Sequence, residues 1–130
     1  MLGKGANGSV RVARHKATGY FIALKNYSIK AVKEKTNRFI ECLKLQMCLN
    51  HPNVAALYGF FTEGDEIFLL MELCIDIDLT SQTKHLKKNA KEAKEVIREI
   101  VRGLQYMHNH QVIHRDIKLE NILINHVFML

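Results

Sequence analysis

The sequence predicts an α+β fold, in which a small antiparallel β-sheet with one amphipathic helix is followed by a helical segment. Three observations predict it. Residues 2–27 are punctuated by glycine and β-rich, with Ser9–Ala13 alternating polar and apolar side chains. Two apolar runs, Val54–Phe61 and Glu66–Leu73, then flank a Gly-Asp pair. Beyond them, Lys84–His110 carries apolar residues at helical spacing.

The elements follow in order. Ser9–Ala13 alternates, Lys16–Gly19 is a turn signal and Tyr20–Lys25 is a second apolar run, so the opening reads as a hairpin or meander. In Ile29–Leu49 the residues Phe39, Ile40, Leu43, Met47 and Leu49 share a helical face, and His51-Pro52 closes the stretch because proline discourages continuation. The spacing predicts one amphipathic helix starting after Lys35. Thr62-Glu63-Gly64-Asp65 supplies turn chemistry for a second antiparallel hairpin. Asp76–Thr83 is polar and unperiodic and reads as a link. In Lys84–His110 a stripe of Val96, Ile97, Ile100, Val101, Leu104 and Met107 is suited to a partner helix.

Composition narrows the function classes. At 130 residues the chain is long enough for a buried core. Its longest apolar run, around Ile67–Met71, is far below the roughly 20 residues that span a bilayer, so no membrane is expected. The opening Met-Leu-Gly-Lys-Gly has neither a secretory nor a transit-peptide pattern, and a cytoplasmic or nuclear address is the expectation. Cys42, Cys48 and Cys74 are odd in number and form no Cys-x-x-Cys pair, which suits a reducing compartment. The net charge of +6 comes largely from lysines in Lys30–Lys44 and Lys84–Lys94 mixed with Glu34, Glu41, Glu92 and Glu95. These read as solvated helix faces, and no aromatic platform interleaves with them, so no nucleic-acid partner is expected.

Three constellations carry chemistry. Gly3-Lys4-Gly5-Ala6-Asn7-Gly8-Ser9-Val10 is a Gly-x-Gly-x-x-Gly-x-Val pattern, whose glycines let backbone amides approach phosphates. A dinucleotide-binding turn would open a helix and carry an acidic residue about 20 positions on, whereas the downstream run here is β-type. Ile22-Ala23-Leu24-Lys25 ends an apolar strand on a lysine, which either snorkels at an edge or is held by anions. His114-Arg115-Asp116-Ile117-Lys118-Leu119-Glu120-Asn121 places a carboxylate, a cation and an amide at the spacing phosphoryl transfer uses.

Taken together, these motifs resemble the eukaryotic protein kinase domain, and the resemblance covers the chain from Leu2 to Leu130. It implies a kinase small lobe with glycine-rich loop and hinge over 1–74, and over 75–130 the start of a large lobe truncated before Asp-Phe-Gly. The implied cofactors are ATP and Mg. By the resemblance, Leu2, Gly3, Gly5, Gly8 and Val10 cover the nucleotide, Lys25 grips its phosphates and Ala23 touches adenine. Met71 gates the back pocket, Glu72, Leu73 and Cys74 form the hinge, and Asp78 lies near the ribose. Asp116 is the implied catalytic base, Lys118 the cation on the phosphoryl group and Asn121 a magnesium ligand, while Arg115 awaits a phosphorylated activation loop. Lysine two residues after Asp116 is similar to the serine/threonine kinases. His51-Pro52-Asn53 and Leu57-Tyr58-Gly59-Phe60-Phe61 are most similar to the Aurora and polo-related kinases.

The pattern also departs from the family. Kinases of this kind place the helix glutamate that pairs with the strand-three lysine where this chain has Cys42, nine residues before His51, and the nearest carboxylate is Glu41. One residue is about 100° of helix rotation, so either the helix shifts register to bring Glu41 to Lys25 or the pair is absent. The linker at Cys74–Asp78 lacks the usual glycines, and no Asp-Phe-Gly follows Asn121, which leaves the other magnesium ligand missing. The expectation is a serine/threonine protein kinase fragment, inactive alone, whose parent enzyme takes a protein substrate. The alternative is a truncated pseudokinase acting as a binding or scaffold module, with a protein partner on the exposed large-lobe helix.

Overall fold

The computed structural model describes residues 3–5, 8–32, 36–74 and 79–123. The chain divides into two compact units, 1–50 with 55–73 and 51–54 with 74–130.

In the first unit, β1 (Gly3–Gly5), β2 (Gly8–Arg14), β3 (Phe21–Ser28), β4 (Leu57–Glu63) and β5 (Glu66–Met71) form an antiparallel sheet in the order β1-β2-β3-β5-β4. Glu63 pairs with Glu66, so β4 and β5 are joined by the two-residue turn Gly64-Asp65. Gly64 sits there at φ 57, a left-handed conformation that glycine takes without steric cost. Two helices accompany the sheet, α1 (Ile29–Val32) and α2 (Thr36–Met47), where one helix starting after Lys35 was predicted; α1 is an extra turn continuing directly from β3.

Alternation along the strands decides which face each residue serves. On one face Leu43 of α2 packs with Leu57, Ile67 and Leu69, flanked by Tyr27, Ile29, Phe39, Ile40, Phe60 and Met71. Each fully buried aliphatic side chain of this kind contributes about 1.5–3 kcal/mol, which is what fixes α2 against the sheet. On the other face Phe61 stacks on buried Phe68 at 5.0 Å, and the Arg11 guanidinium lies 5.7 Å from the Phe68 ring centre.

The second unit contains α3 (Leu79–Leu86), α4 (Ala90–Asn109) and a short 3-10 turn, Leu119–Asn121. Two sequence expectations are corrected here. The link predicted over Asp76–Thr83 gives way to helix from Leu79, a residue buried in this unit. The single helix predicted over Lys84–His110 is broken at Lys87–Asn89, because Asn89 caps α4: its Oδ1 accepts from the Glu92 N–H at 3.2 Å and its Nδ2 donates to Glu92 Oε2 at 3.0 Å. His85 closes the corner with its Nε2 2.8 Å from the same carboxylate oxygen.

At its buried side α4 lies against the turn 51–54. A Cβ on Gly103 would fall 2.8 Å from the Asn53 carbonyl oxygen, so only glycine allows this approach. His51 stacks on Tyr106 at 4.8 Å. The helix ends in a Schellman motif, with Val112 N–H donating to the Met107 carbonyl and Gln111 N–H to that of His108, and with Gln111 rather than glycine at positive φ. Ile97 and Val101 of the predicted stripe are 60% and 54% exposed. Among the described residues no helix is long and apolar enough to cross a membrane.

Candidate active site

The glycine motif folds as the β1–β2 hairpin, in which Gly5 pairs with Gly8 and Gly3 with Val10. Leu2, Ala6 and Asn7 lie outside the described residues. Gly8 is required at the first position of β2 for a local reason: a Cβ there would fall 1.8 Å from the Asn26 carbonyl oxygen. The Asn26 side chain reinforces the same point. Its Oδ1 accepts from Ser9 N–H at 3.0 Å and Ser9 Oγ at 2.7 Å, and its Nδ2 donates to Glu66 Oε1 at 2.8 Å. Asn26 therefore clamps β2, β3 and the start of β5 together. Sequence reasoning missed it, although asparagine within a strand is disfavoured enough to signal a side-chain role.

Ala23 and Lys25 lie on β3, with Ala23 opposite Met71 and Lys25 opposite both Val10 and Leu69. Ala23 is buried and Lys25 half-buried. Met71 ends β5, and the chain beyond it is held by two hydrogen bonds between Glu72 and Ala56: Glu72 N–H donates to the Ala56 carbonyl at 2.9 Å, and Glu72 Oε2 accepts from Ala56 N–H at 3.1 Å. With its N–H and carboxylate so engaged, Glu72 enters the segment that continues to half-buried Cys74. Asp78 lies outside the described residues.

The structure does not bring Glu41 to Lys25. Leu43 faces the core, and Glu41, two residues earlier, is about 200° of helix rotation away on the exposed side. Cys42 is exposed as well. No ion pair joins Lys25 to Glu41 among the described residues. Instead the Lys25 ammonium lies 5.1 Å from the centre of the Tyr27 ring.

The loop 114–121 gathers three predicted residues. Arg115 takes φ 66, a left-handed conformation that costs a non-glycine residue about 1–2 kcal/mol. Asp116 and Lys118 are two residues apart, and Lys118 is extended at φ −155 and ψ 162. The 3-10 turn then swings Asn121 back, with its own N–H on the Lys118 carbonyl at 3.0 Å. The outcome is convergence on one carboxylate. Lys118 Nζ lies 3.1 Å from Asp116 Oδ2, and Asn121 Nδ2 donates to Asp116 Oδ2 at 2.8 Å and to its backbone carbonyl at 2.9 Å. His114 Nδ1 accepts from Asp116 N–H at 3.3 Å. The hydrogen bond from Lys118 first, and that from Asn121 second, hold the Asp116 carboxyl below the usual carboxylate range. At 62% exposure for Asp116 and 50% for Lys118 the pair is open to solvent, so it sets geometry and charge more than stability.

Spending the Asn121 amide nitrogen on Asp116 leaves Oδ1 as the donor for a cation, and magnesium takes oxygen ligands while keeping several waters. One neutral amide oxygen makes only a partial site for magnesium, whose remaining positions would fall to water and phosphate oxygens. Among the described residues no cluster of three or more His, Cys, Asp or Glu could hold a metal by itself.

A protein kinase domain model matches residues 1–129. The chain belongs to the protein kinase family. Its relatives include an Aurora kinase of Saccharomyces cerevisiae, 38% identical over 126 residues that cover 95% of this chain and 34% of the yeast protein. Serine/threonine-protein kinase PLK4 of Aedes aegypti is 34% identical over 128 residues, covering 95% of this chain and 17% of the relative. Calcium-dependent protein kinase 4 of Plasmodium falciparum is 37% identical, covering 95% of this chain and 24% of the relative. The kinase chain thus spans about a third or less of the length of these relatives, and the resemblance to the Aurora and polo-related kinases read from the motifs is matched by the first two.

Proposed function

We propose that the chain carries the nucleotide-binding and catalytic-loop residues of an ATP-dependent serine/threonine protein kinase. The observation that carries this reading is the convergence of Lys118 and Asn121 on the Asp116 carboxylate. In phosphoryl transfer little covalent chemistry falls to the protein, because the transition state is loose, and positioning and charge stabilisation do most of the work. An Asp116 held ionised is too weak a base to strip a hydroxyl in the ground state. It accepts a hydrogen bond from the serine or threonine hydroxyl, orients it in line and takes the proton as the bond to phosphorus forms. Lys118, on the same carboxylate, meets the charge on the transferring phosphoryl group in this reading. Lys25 and the backbone of the β1–β2 hairpin hold the remaining phosphates, and Met71, Glu72 and Cys74 meet the adenine. Asn121 Oδ1 would contribute to holding magnesium, which would supply Lewis-acid charge neutralisation.

Calorimetric titration of the 130-residue chain with Mg-ATP tests the reading. Binding at micromolar to millimolar concentration is expected, lost in Lys25→Met, and phosphate transfer to a basic test protein, where it occurs, is lost in Asp116→Asn. No binding by the unsubstituted chain would sink the proposal. The second reading, a non-catalytic binding module of the kinase fold, is favoured by the absence of the Glu41–Lys25 pair and by the exposed Ile97 and Val101 on α4. It predicts binding of a protein partner by the 130-residue chain that is unchanged in Asp116→Asn.

A further inference from the structure

We propose that Tyr27 is a positioning residue for Lys25, its ring doing what a helix carboxylate does in kinases of the resembling kind. The inference rests on the reading of Lys25 as the residue that grips the ATP phosphates.

Three observations lead to it. The expected carboxylate is missing: Cys42 occupies its place, and Glu41 is exposed with no ion pair to Lys25 among the described residues. The ammonium instead has an aromatic face, since Lys25 and Tyr27 are two apart on β3, share one side of the sheet, and stand 5.1 Å from charge to ring centre. That distance is within the roughly 6 Å over which a ring quadrupole attracts a cation. Finally, the ring is itself fixed by α2. Phe39 meets Tyr27 edge to face, with centroids 5.7 Å apart and planes at 73°. Lys25, Tyr27 and Phe39 are all half-buried. The chain Phe39–Tyr27–Lys25 therefore runs from the helix to the ammonium, the connection a Lys–Glu pair would make through charge.

The substitution has a chemical consequence. A carboxylate partner cancels the ammonium charge, whereas a ring quadrupole holds the cation and leaves its net charge intact. Lys25 then presents a full positive charge to an anionic phosphate, with Tyr27 restricting where it goes.

Replacing Tyr27 by phenylalanine and then by phenylalanines of rising ring fluorination keeps the shape and weakens the quadrupole stepwise, which avoids the packing loss of an aliphatic variant. Calorimetric titration with Mg-ATP is expected to give an affinity within about twofold of the original for Tyr27→Phe, falling progressively with fluorination to a loss of about three- to thirtyfold. In proton NMR the Lys25 ε-methylene resonances are expected upfield both in the unsubstituted protein and in the Tyr27→Phe variant. Glu41→Gln is expected to change nothing. Binding by the unsubstituted chain that is indifferent to fluorination would overturn the inference alone, as would a loss of about tenfold in Glu41→Gln, which exceeds what a solvent-exposed charge contributes. Unshifted Lys25 methylene resonances would overturn it without reference to nucleotide. Absence of any Mg-ATP binding would overturn the functional reading, and the positioning role with it.

Discussion

Asp116 shows how three residues close in sequence set the state of one carboxyl. Lys118 and Asn121 both donate to it in its ionised form, so its folded pKa lies below the ordinary aspartate value. The sign of the pH effect follows. A depressed carboxylate pKa contributes stability that is present above the unfolded value, about pH 4, and is lost as pH falls through the folded value. The expected observation is a carbon-13 NMR titration of the Asp116 carboxyl with a midpoint below that of a free aspartate. Lys118→Met should raise that midpoint more than Asn121→Leu, since the Lys118 hydrogen bond is the larger cause. The reverse order would mean that the amide holds the carboxylate. These three residues were legible in the sequence because the loop is short and its chemistry is local. The ring beside Lys25 was not legible, because the 5.1 Å approach of its ammonium to Tyr27 follows from side-chain directions along β3 and not from a motif. Gly8 was singled out for closeness to phosphate, and the contact that demands glycine there is with the backbone of Asn26, which only the β2–β3 register reveals.

At the scale of elements, the order of strands and helices followed from periodicity, and the errors fall where a cap overrides it. Lys84–His110 reads as one helix because Val96, Ile97, Ile100, Val101, Leu104 and Met107 recur at helical spacing. The Asn89-to-Glu92 cap, whose spacing resembles a capping box, interrupts it, and that signal was present in the sequence. Leu79, the first residue of α3, has its N–H on the Ile122 carbonyl at 2.9 Å, a tie between distant residues that no local pattern encodes. Gly103 supplies a prediction whose sign the surroundings decide. Glycine to alanine inside a helix ordinarily stabilises by about 1 kcal/mol. Here the new Cβ meets the Asn53 carbonyl at 2.8 Å, and such overpacking costs about 1–3 kcal/mol. Gly103→Ala is therefore expected to lower the urea midpoint by the equivalent of about 1 kcal/mol. Gly59→Ala, inside β4 where nothing lies within 4 Å and φ is not positive, should instead raise it by the equivalent of about 0.5–1 kcal/mol. A stabilised Gly103→Ala protein would show that α4 moves off the 51–54 turn at little cost.

For the whole molecule, the division of apolar burial between the two units sets where stability resides. Of the nine buried apolar residues among those described, Ala23, Leu43, Leu49, Leu57, Ile67, Phe68 and Leu69 belong to the first unit, and only Leu79 and Met107 to the second. At about 1.5–3 kcal/mol for each fully buried large apolar side chain, the difference outweighs the solvent-exposed ion pairs of the second unit, such as Arg102 with Glu99. Local opening should therefore begin in the second unit, since segments with few buried apolar contacts open at the low end of the stability range. Native-state hydrogen exchange under increasing urea measures this directly. The amides of β3 and β5, which pair Lys25 with Leu69 in the middle of the sheet, are expected to keep their protection longest, and those of α3 and the first turns of α4 to lose it at lower denaturant. Replacing Ile97 and Val101 together by glutamate should leave that order intact, because both side chains are already more than half exposed and give up little burial. If α4 amides instead outlast those of β3 and β5, the few contacts of Met107, Gly103 and the stacked His51 and Tyr106 are worth more than the sheet core, and the apolar accounting of this fold is wrong.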